Sequence, residues 1–369
     1  MSDVIQLQGQ FYIRASASMA DGGNRVLKQG DTFAIFDRHG DIRPLGFENH
    51  GVFHEGTRFL SRWKLGINGT SPLLLSSNVK EDNDFLAVDL TNPNLRLGAE
   101  RSLPHGVIHL VRTVFLWEGE YFERIEVSSF APEPVSLPLE LEFGADFVDL
   151  FEVRGTSRKQ RGRYLAPALA PTEVTLAYEG LDSVVRQTIL HFSAPAQEIS
   201  AERARFRLNL ESQKPQCLEC RITCRGSKQA TREESFEGAF GKVHTAYRDY
   251  RKDVTIVETS HPPFNDWIHQ SRADLHLLLT KTDCGAYPYA GIPWFSTIFG
   301  RDGIITALET LWTDPAIARG VLCYLAARQA NETIPESDAE PGKILHEERK
   351  GEMAAVKEVP FGCYYGSID

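Results

Sequence analysis

Apolar and polar residues alternate along much of the first 250 positions. Asp31-Thr-Phe-Ala-Ile-Phe36, Val107 to Trp117, Phe122 to Phe130 and Leu137 to Phe143 are rich in β-branched and aromatic residues. Several of these runs place apolar residues at every second position, the period of a strand with one buried face. Val174 to Tyr178 and Cys217 to Cys224 read as further strands. Turn signals separate them: Asp21-Gly-Gly, His39-Gly-Asp, Asn68-Gly and Glu118-Gly. Many short strands with frequent turns predict an antiparallel β-sandwich over residues 1–255. The basic, glycine-containing stretch Arg154 to Arg163 reads as a solvated loop.

The period changes at His261-Pro-Pro. Phe264, Trp267, Ile268, Leu275, Leu278 and Leu279 recur at helical spacing, and Ile304, Ile305, Leu308, Leu311 and Trp312 do so again. A third helix is expected behind Asp314-Pro315, an N-cap followed by proline in the first turn. Ile317, Val321, Leu322 and Leu325 form its apolar face. Three helices cannot close a helical domain, so much of this apolar surface calls for partners. After Ala330 nearly forty residues lack helical periodicity, and a loop that long reads as functional.

The chain has 369 residues, enough for two or three cores. A net charge of −10 argues against nucleic acid or an anionic membrane as partner. No apolar run is long enough to span a bilayer. The start, Met1-Ser-Asp-Val-Ile-Gln-Leu-Gln, lacks the basic flank and apolar core of a signal peptide. Cys217, Cys220 and Cys224 lie on one predicted strand with no second CxxC or CxxxH pair, so they read as reduced thiols rather than metal ligands. The expected location is the cytoplasm. Neither a phosphate loop nor a dinucleotide fingerprint is present, and Gly300-Arg-Asp-Gly303 is too short for one. No cofactor is expected. His346-Glu347 does not begin an HExxH zinc motif, because position 350 is lysine.

The candidate chemistry lies near the end of the chain. Ala290 to Asp302, Asp338 to Glu347 and Pro360 to Asp369 mix aromatics, carboxylates, arginine and glycine. That mixture suits a sugar-binding cleft, in which aromatic faces stack on pyranose rings and charged groups grip vicinal hydroxyls. Arg301 and Asp302 follow a glycine at a predicted helix start, where Asp302 also complements the macrodipole. Trp294 and Phe295 can wall a subsite or pack in a core. His346, Glu347, Arg349 and Glu352 form a charged cluster beside Lys343. His54 and Glu55 read as part of a hairpin that packs against the helical region.

The block Gly291-Ile-Pro-Trp-Phe-Ser-Thr-Ile-Phe-Gly-Arg-Asp302 resembles the first characteristic loop of bacterial glycogen-debranching-type proteins, the amylo-α-1,6-glucosidase-like family. The blocks Asp338 to Glu347 and Pro360 to Asp369 resemble that family's next two loops. Gly51 to Trp63, Ser76 to Asp82 and Phe143 to Asp149 resemble its β-rich N-terminal domain. The resemblance implies a sandwich followed, over 262–369, by the first helices of an incomplete (α/α)6 barrel. It implies an α-glucan or oligosaccharide as substrate, and cleavage of α-glucosidic linkages, above all α-1,6 branches, with inversion. Glycoside hydrolysis needs one carboxylic acid to protonate the leaving oxygen and a second carboxylate to activate water. By the resemblance Asp369 occupies the position of the general acid. Arg301 and Asp302 grip sugar hydroxyls, Trp294, Phe295 and Tyr365 contact the sugar, and His346 and Glu347 hold the substrate or support Asp369. The base is expected from a later loop outside this chain, which reads as truncated. Two alternatives stand beside this: a non-catalytic carbohydrate-binding piece, and an α-glycosidase of the same clan acting on short oligosaccharides.

Overall fold

The strand Ile108–Trp117 pairs residue for residue with Glu120–Ser129, from Ile108 opposite Ser129 to Trp117 opposite Glu120. Glu118 and Gly119 join them with φ of 45° and 84°. A two-residue hairpin needs this left-handed geometry, and a following glycine adopts it without strain. In the computed structural model, which describes residues 4–7, 10–13, 23–43, 49–80, 82–97, 101–226 and 234–366, this hairpin is the centre of an eight-stranded antiparallel sheet. Gln216–Arg225, Val185–Phe192, Glu173–Glu179 and Arg163–Ala170 extend it on one side, and Leu86–Thr91 and Leu73–Val79 on the other.

A four-stranded sheet, Glu198–Ile199, Arg203–Leu210, Val135–Gly144 and Arg62–Ile67, faces it. The inward positions of the two sheets meet in one apolar core, Leu110, Val114, Ile125 and Val127 against Leu65, Ile67, Leu139 and Leu141. Inside lies a buried polar network. Glu123 accepts from Arg112 Nε at 2.6 Å, Tyr121 Oη at 2.6 Å and Trp63 Nε1. Arg112 also reaches Asp41 at 2.6 Å. Each charge has its partner, which a buried ion requires. A second four-stranded sheet, Arg25–Gln29, Thr32–Phe36, Gly51–His54 and Thr57–Leu60, turns towards the helical part.

The period reading misses one element. Residues 236–253, inside the stretch expected to be β, form an 18-residue helix, Phe236–Asp253. Ser235 caps it by accepting from Gly238 N–H at 3.2 Å. Phe236, Ala239 and Val243 seat on Phe115 and Phe122 of the central hairpin. The physical reason for the miss is its narrow apolar stripe. Its buried positions are Phe236, Ala239, Val243 and Tyr247, and most of the rest is charged or small. A single capped turn, Leu150–Val153, also lies between strands.

The three expected helices are present as Pro262–Leu278, Gly300–Thr310 and Pro315–Ala327. Asp314 caps the last of them through Ala316 N–H at 3.1 Å. Between the first and second, Leu279–Thr282 and Gly285–Pro288 form a hairpin. The helices pack through their small residues. A Cβ on Gly303 would lie 2.5 Å from Tyr287 Oη, and one on Gly320 would collide with the Ala286 carbonyl. Ile317, Val321 and Leu325 of the third helix are buried against this contact, but other large apolar residues face outward: Trp267 is 63% exposed, Leu308 70% and Trp312 68%. Among the described residues, no helix is long and apolar enough to cross a membrane.

Candidate active site

A short antiparallel pair brings the sequence blocks together. Ile298–Phe299 pairs with Glu347–Glu348, Phe299 opposite Glu347. Gly300 N–H donates to His346 C=O at 2.9 Å, and a Cβ on Gly300 would collide with the Leu345 carbonyl. Only glycine allows this approach at the start of the Arg301–Asp302 helix. Glu347 in turn exchanges backbone hydrogen bonds with Tyr364, at 2.9 and 3.2 Å. The blocks around residues 291–302, 343–349 and 361–365 therefore meet at one place.

Aromatic rings run through the junction. Phe295 meets Phe299 at 5.8 Å, Phe299 meets His346 at 5.9 Å, and His346 meets Tyr364 at 6.1 Å. Phe361 stacks on Phe151 of the sandwich side at 5.5 Å. Arg349 lies over Phe151 and Phe299, bonds Glu347 at 2.5 Å and donates to Trp294 C=O at 2.7 Å.

The individual residues divide. Phe295 is 45% exposed, and Arg301 is exposed as well. Asp302 is half-buried in the first turn of its helix. It lies near Tyr287, whose hydroxyl is pushed up by burial and then by Asp302 and Glu348. Trp294 packs beside Phe33, Phe53 and Leu150. Glu347 is buried, with its carboxylate held by Arg349. Tyr365 turns to the helical core and donates from Oη to Arg328 C=O at 2.9 Å. Asp369 lies outside the described residues.

The sandwich grips this junction from below. Glu352 is buried and accepts from Arg158 at 3.0 Å and from Leu181 N–H at 2.9 Å. Burial raises its carboxyl pKa, but the Arg158 and Leu181 hydrogen bonds bring it below its usual value. Asp149 accepts from Met353 N–H at 3.2 Å. Lys350 bridges Asp31 at 2.8 Å and Glu55 at 3.4 Å, so the His54–Glu55 hairpin does pack on the helical part. Arg158 belongs to the loop expected to be solvated, yet its side chain is 1% exposed. No local signal marks it, because its partners are Glu152, Glu352 and Glu358.

Several cavities border the sandwich. One of about 460 Å³ is lined by His54, Glu55, Asp182, Arg186, Arg349 and Lys350. Another of about 580 Å³ lies against the helices, with Lys28, Tyr250 and His276 in its wall. Burial lowers the Lys28 amine to about 7 and the His276 imidazole to about 4. Trp294, Phe295, Arg301, Asp302, His346, Glu347 and Tyr365 line neither cavity. Among the described residues, no cluster of His, Cys, Asp and Glu could hold a metal ion. Cys220 and Cys224 point into the sandwich while Cys217 is exposed, so the three thiols do not share a face.

A β-sandwich leading into the first helices of a helical barrel defines the fold class. The sequence agrees: residues 27–221 match the N-terminal domain of (some) glycogen debranching enzymes, and the chain belongs to that family. No curated protein matches it. Among solved structures, a protein named as a kojibiose phosphorylase, from the human microbiome, has the same fold. The TM-score is 0.60 at 10% identity, over 87% of this chain and 48% of that one. A bacterial glucoamylase complexed with acarbose aligns at a TM-score of 0.44 and 10% identity, over 80% of this chain and 48% of its own. The chain thus spans about half the length of these structures. It carries the N-terminal domain found in some glycogen debranching enzymes.

Proposed function

We propose that the protein, in a form as long as these relatives, hydrolyses α-glucosidic linkages of glycogen-like glucans, with α-1,6 branches as its preferred bond. The observation that carries this reading is the pairing of Phe299 with Glu347, which sets the start of the Arg301–Asp302 helix beside His346. Sugar recognition needs groups converging from several loops, because one loop cannot surround a pyranose. In this reading Arg301 and Asp302 grip hydroxyls, Phe295 borders the ring, and Trp294 and Tyr365 back the wall from the packed side. His346 faces the aromatic belt. Glu347, held by Arg349, supports the acid rather than the sugar. Asp369 is the general acid of an inverting mechanism, and the base comes from a further loop.

The fold match favours a second reading, in which the same clan of protein cleaves a short α-linked oligosaccharide with phosphate in place of water. A product assay on branched glucan, linear glucan and disaccharides, with and without phosphate, separates the two. Free glucose from branched glucan without phosphate supports hydrolysis. Phosphate-dependent release of a sugar 1-phosphate supports the second reading. Neither product from a full-length form, with glucan binding retained, would leave a carbohydrate-binding role. The 369-residue chain alone is expected to turn over no glucan, since only one of the two required carboxylates is assigned within it.

A further inference from the structure

Two thiols outside this site lie at the contact between a β-hairpin and the helix packed on it. Cys284 sits in the turn that joins Leu279–Thr282 to Gly285–Pro288. The helix Pro315–Ala327 lies directly on this hairpin. A Cβ on Gly285 would be 3.6 Å from Gly320 Cα, and Gly320 is itself pressed on the Ala286 carbonyl. Cys284 adjoins Gly285, and Cys323 follows Gly320 by one helical turn on the same face. The Cys323 side chain is the first influence on the Cys284 thiol and pushes it up. Cys323 is exposed and Cys284 partly so. The other thiols are differently placed. Cys220 and Cys224 are buried in the sandwich, and Cys217 is on its outer surface beside Glu126. Cys363 lies near Glu348 and Arg328.

We propose that Cys284 and Cys323 are a reversible redox pair that closes to a disulfide on exposure to hydrogen peroxide. The exposed Cys323 thiolate attacks peroxide, its sulfur taking one oxygen while hydroxide leaves, and gives a sulfenic acid. Cys284, as its thiolate, then attacks that sulfur. The S–S bond forms, the S–O bond breaks, and the oxygen leaves as water with the proton Cys284 gave up. In sum, two thiols and one peroxide give one disulfide and two waters. The neighbouring Cys323 keeps the proton on Cys284, so the second step runs faster in mild alkali. The bridge closes a loop that contains Trp294, Phe295, Arg301 and Asp302, and ties together both ends of the segment proposed to hold the sugar. The pairing itself does not depend on that functional reading.

The test is peroxide treatment of the chain, alkylation of remaining thiols, intact mass and a peptide map without reductant. The expected result is a loss of two hydrogens, alkylation of four of the six cysteines, and a Cys284–Cys323 peptide that dithiothreitol removes. Cys323→Ser should abolish the bridge and leave Cys284 alkylated. Its thermal midpoint should match that of the reduced parent, which excludes misfolding as the cause. Oxygen added to Cys323 without a bridge would overturn the proposal, as would a Cys323–Cys363 bridge or a disulfide between two chains.

Discussion

Arg158 bonds Glu352 at 3.0 Å across 194 positions of sequence, and both side chains are buried. One residue comes from the sandwich and the other from the segment that follows His346 and Glu347. The pair therefore fixes the height of the candidate site above the sheet.

Glu352→Ala is expected to destabilise the chain by about 1–3 kcal/mol, because the buried Leu181 N–H and one arm of Arg158 lose their acceptor. Urea unfolding measures it. The folded-state pKa of Glu352 lies below its ordinary 4.5. The unfolded chain therefore takes up the proton first as pH falls. The contribution is full above about 4.5 and is lost as pH drops through the lower folded value. The parent should lose stability over that acid window more steeply than the variant. Equal slopes would mean that Glu352 is not held as a carboxylate.

Lys28 is a cost where Glu352 is a gain, although both make stability rise with pH. Burial lowers its amine from 10.5 to about 7, although Asp31 nearby favours the charge. Its Nζ donates to Thr280 Oγ1 at 2.9 Å. Between pH 7 and 10.5 the unfolded chain holds a proton that the folded chain has released, so stability rises with pH in that window. Lys28→Met should flatten this rise and stabilise the chain near neutrality, by an amount on the order of a few kcal/mol. Unfolding of both proteins at pH 7 and pH 10 checks it. A rise that persists unchanged in the variant would assign it to another group.

The exposed helical face makes a third prediction. Leu308 is 70% exposed, although it belongs to an apolar stripe with Ile304 and Ile305. In the chain of 369 residues, Leu308→Ala should change stability by less than about 0.5 kcal/mol, as for any surface side chain. In a longer form whose further helices cover this face, the same change should cost about 2–5 kcal/mol. Thermal unfolding of both forms compares the two values. A small effect in both would mean that no helix packs there.

How much of this was readable from sequence depended on what each signal reports. Alternation reports a buried face directly, so Ile108–Trp117 and its Glu118-Gly119 turn were legible. The Asp314-Pro315 cap marked its helix because the capping bond is local. The helix Phe236–Asp253 was not legible, because Ala239 and Val243 give too little apolar surface for its period to stand out. Helical spacing also says which residues share a face, but not whether that face is covered. Ile304, Leu308 and Trp312 were grouped correctly, while the buried side proved to be Gly300, Gly303 and Ala307. Arg158 was read by its polar neighbours, and its partner Glu352 is too distant in sequence to alter that reading. The convergence of the Asp302, His346 and Tyr364 blocks rests on backbone hydrogen bonds, which side-chain identity does not announce.

The last prediction separates two carboxylates by the kind of work each does. In a form that turns over glucan, Asp369→Asn removes the proton donor. It should lower kcat at least about 100-fold with little change in KM, because the lost interaction belongs to the transition state. Asp302→Asn should raise KM as well as lower kcat, because a group that grips a hydroxyl acts on bound substrate and transition state alike. Substrates with good leaving groups sharpen the contrast. They need little protonation, so they should rescue Asp369→Asn and leave Asp302→Asn impaired. Steady-state kinetics of both variants on a natural glucan and on an activated aryl glucoside provide the measurement. If Asp369→Asn keeps more than about a tenth of the parental kcat on glucan, short of the loss a general acid entails, the proton comes from another residue.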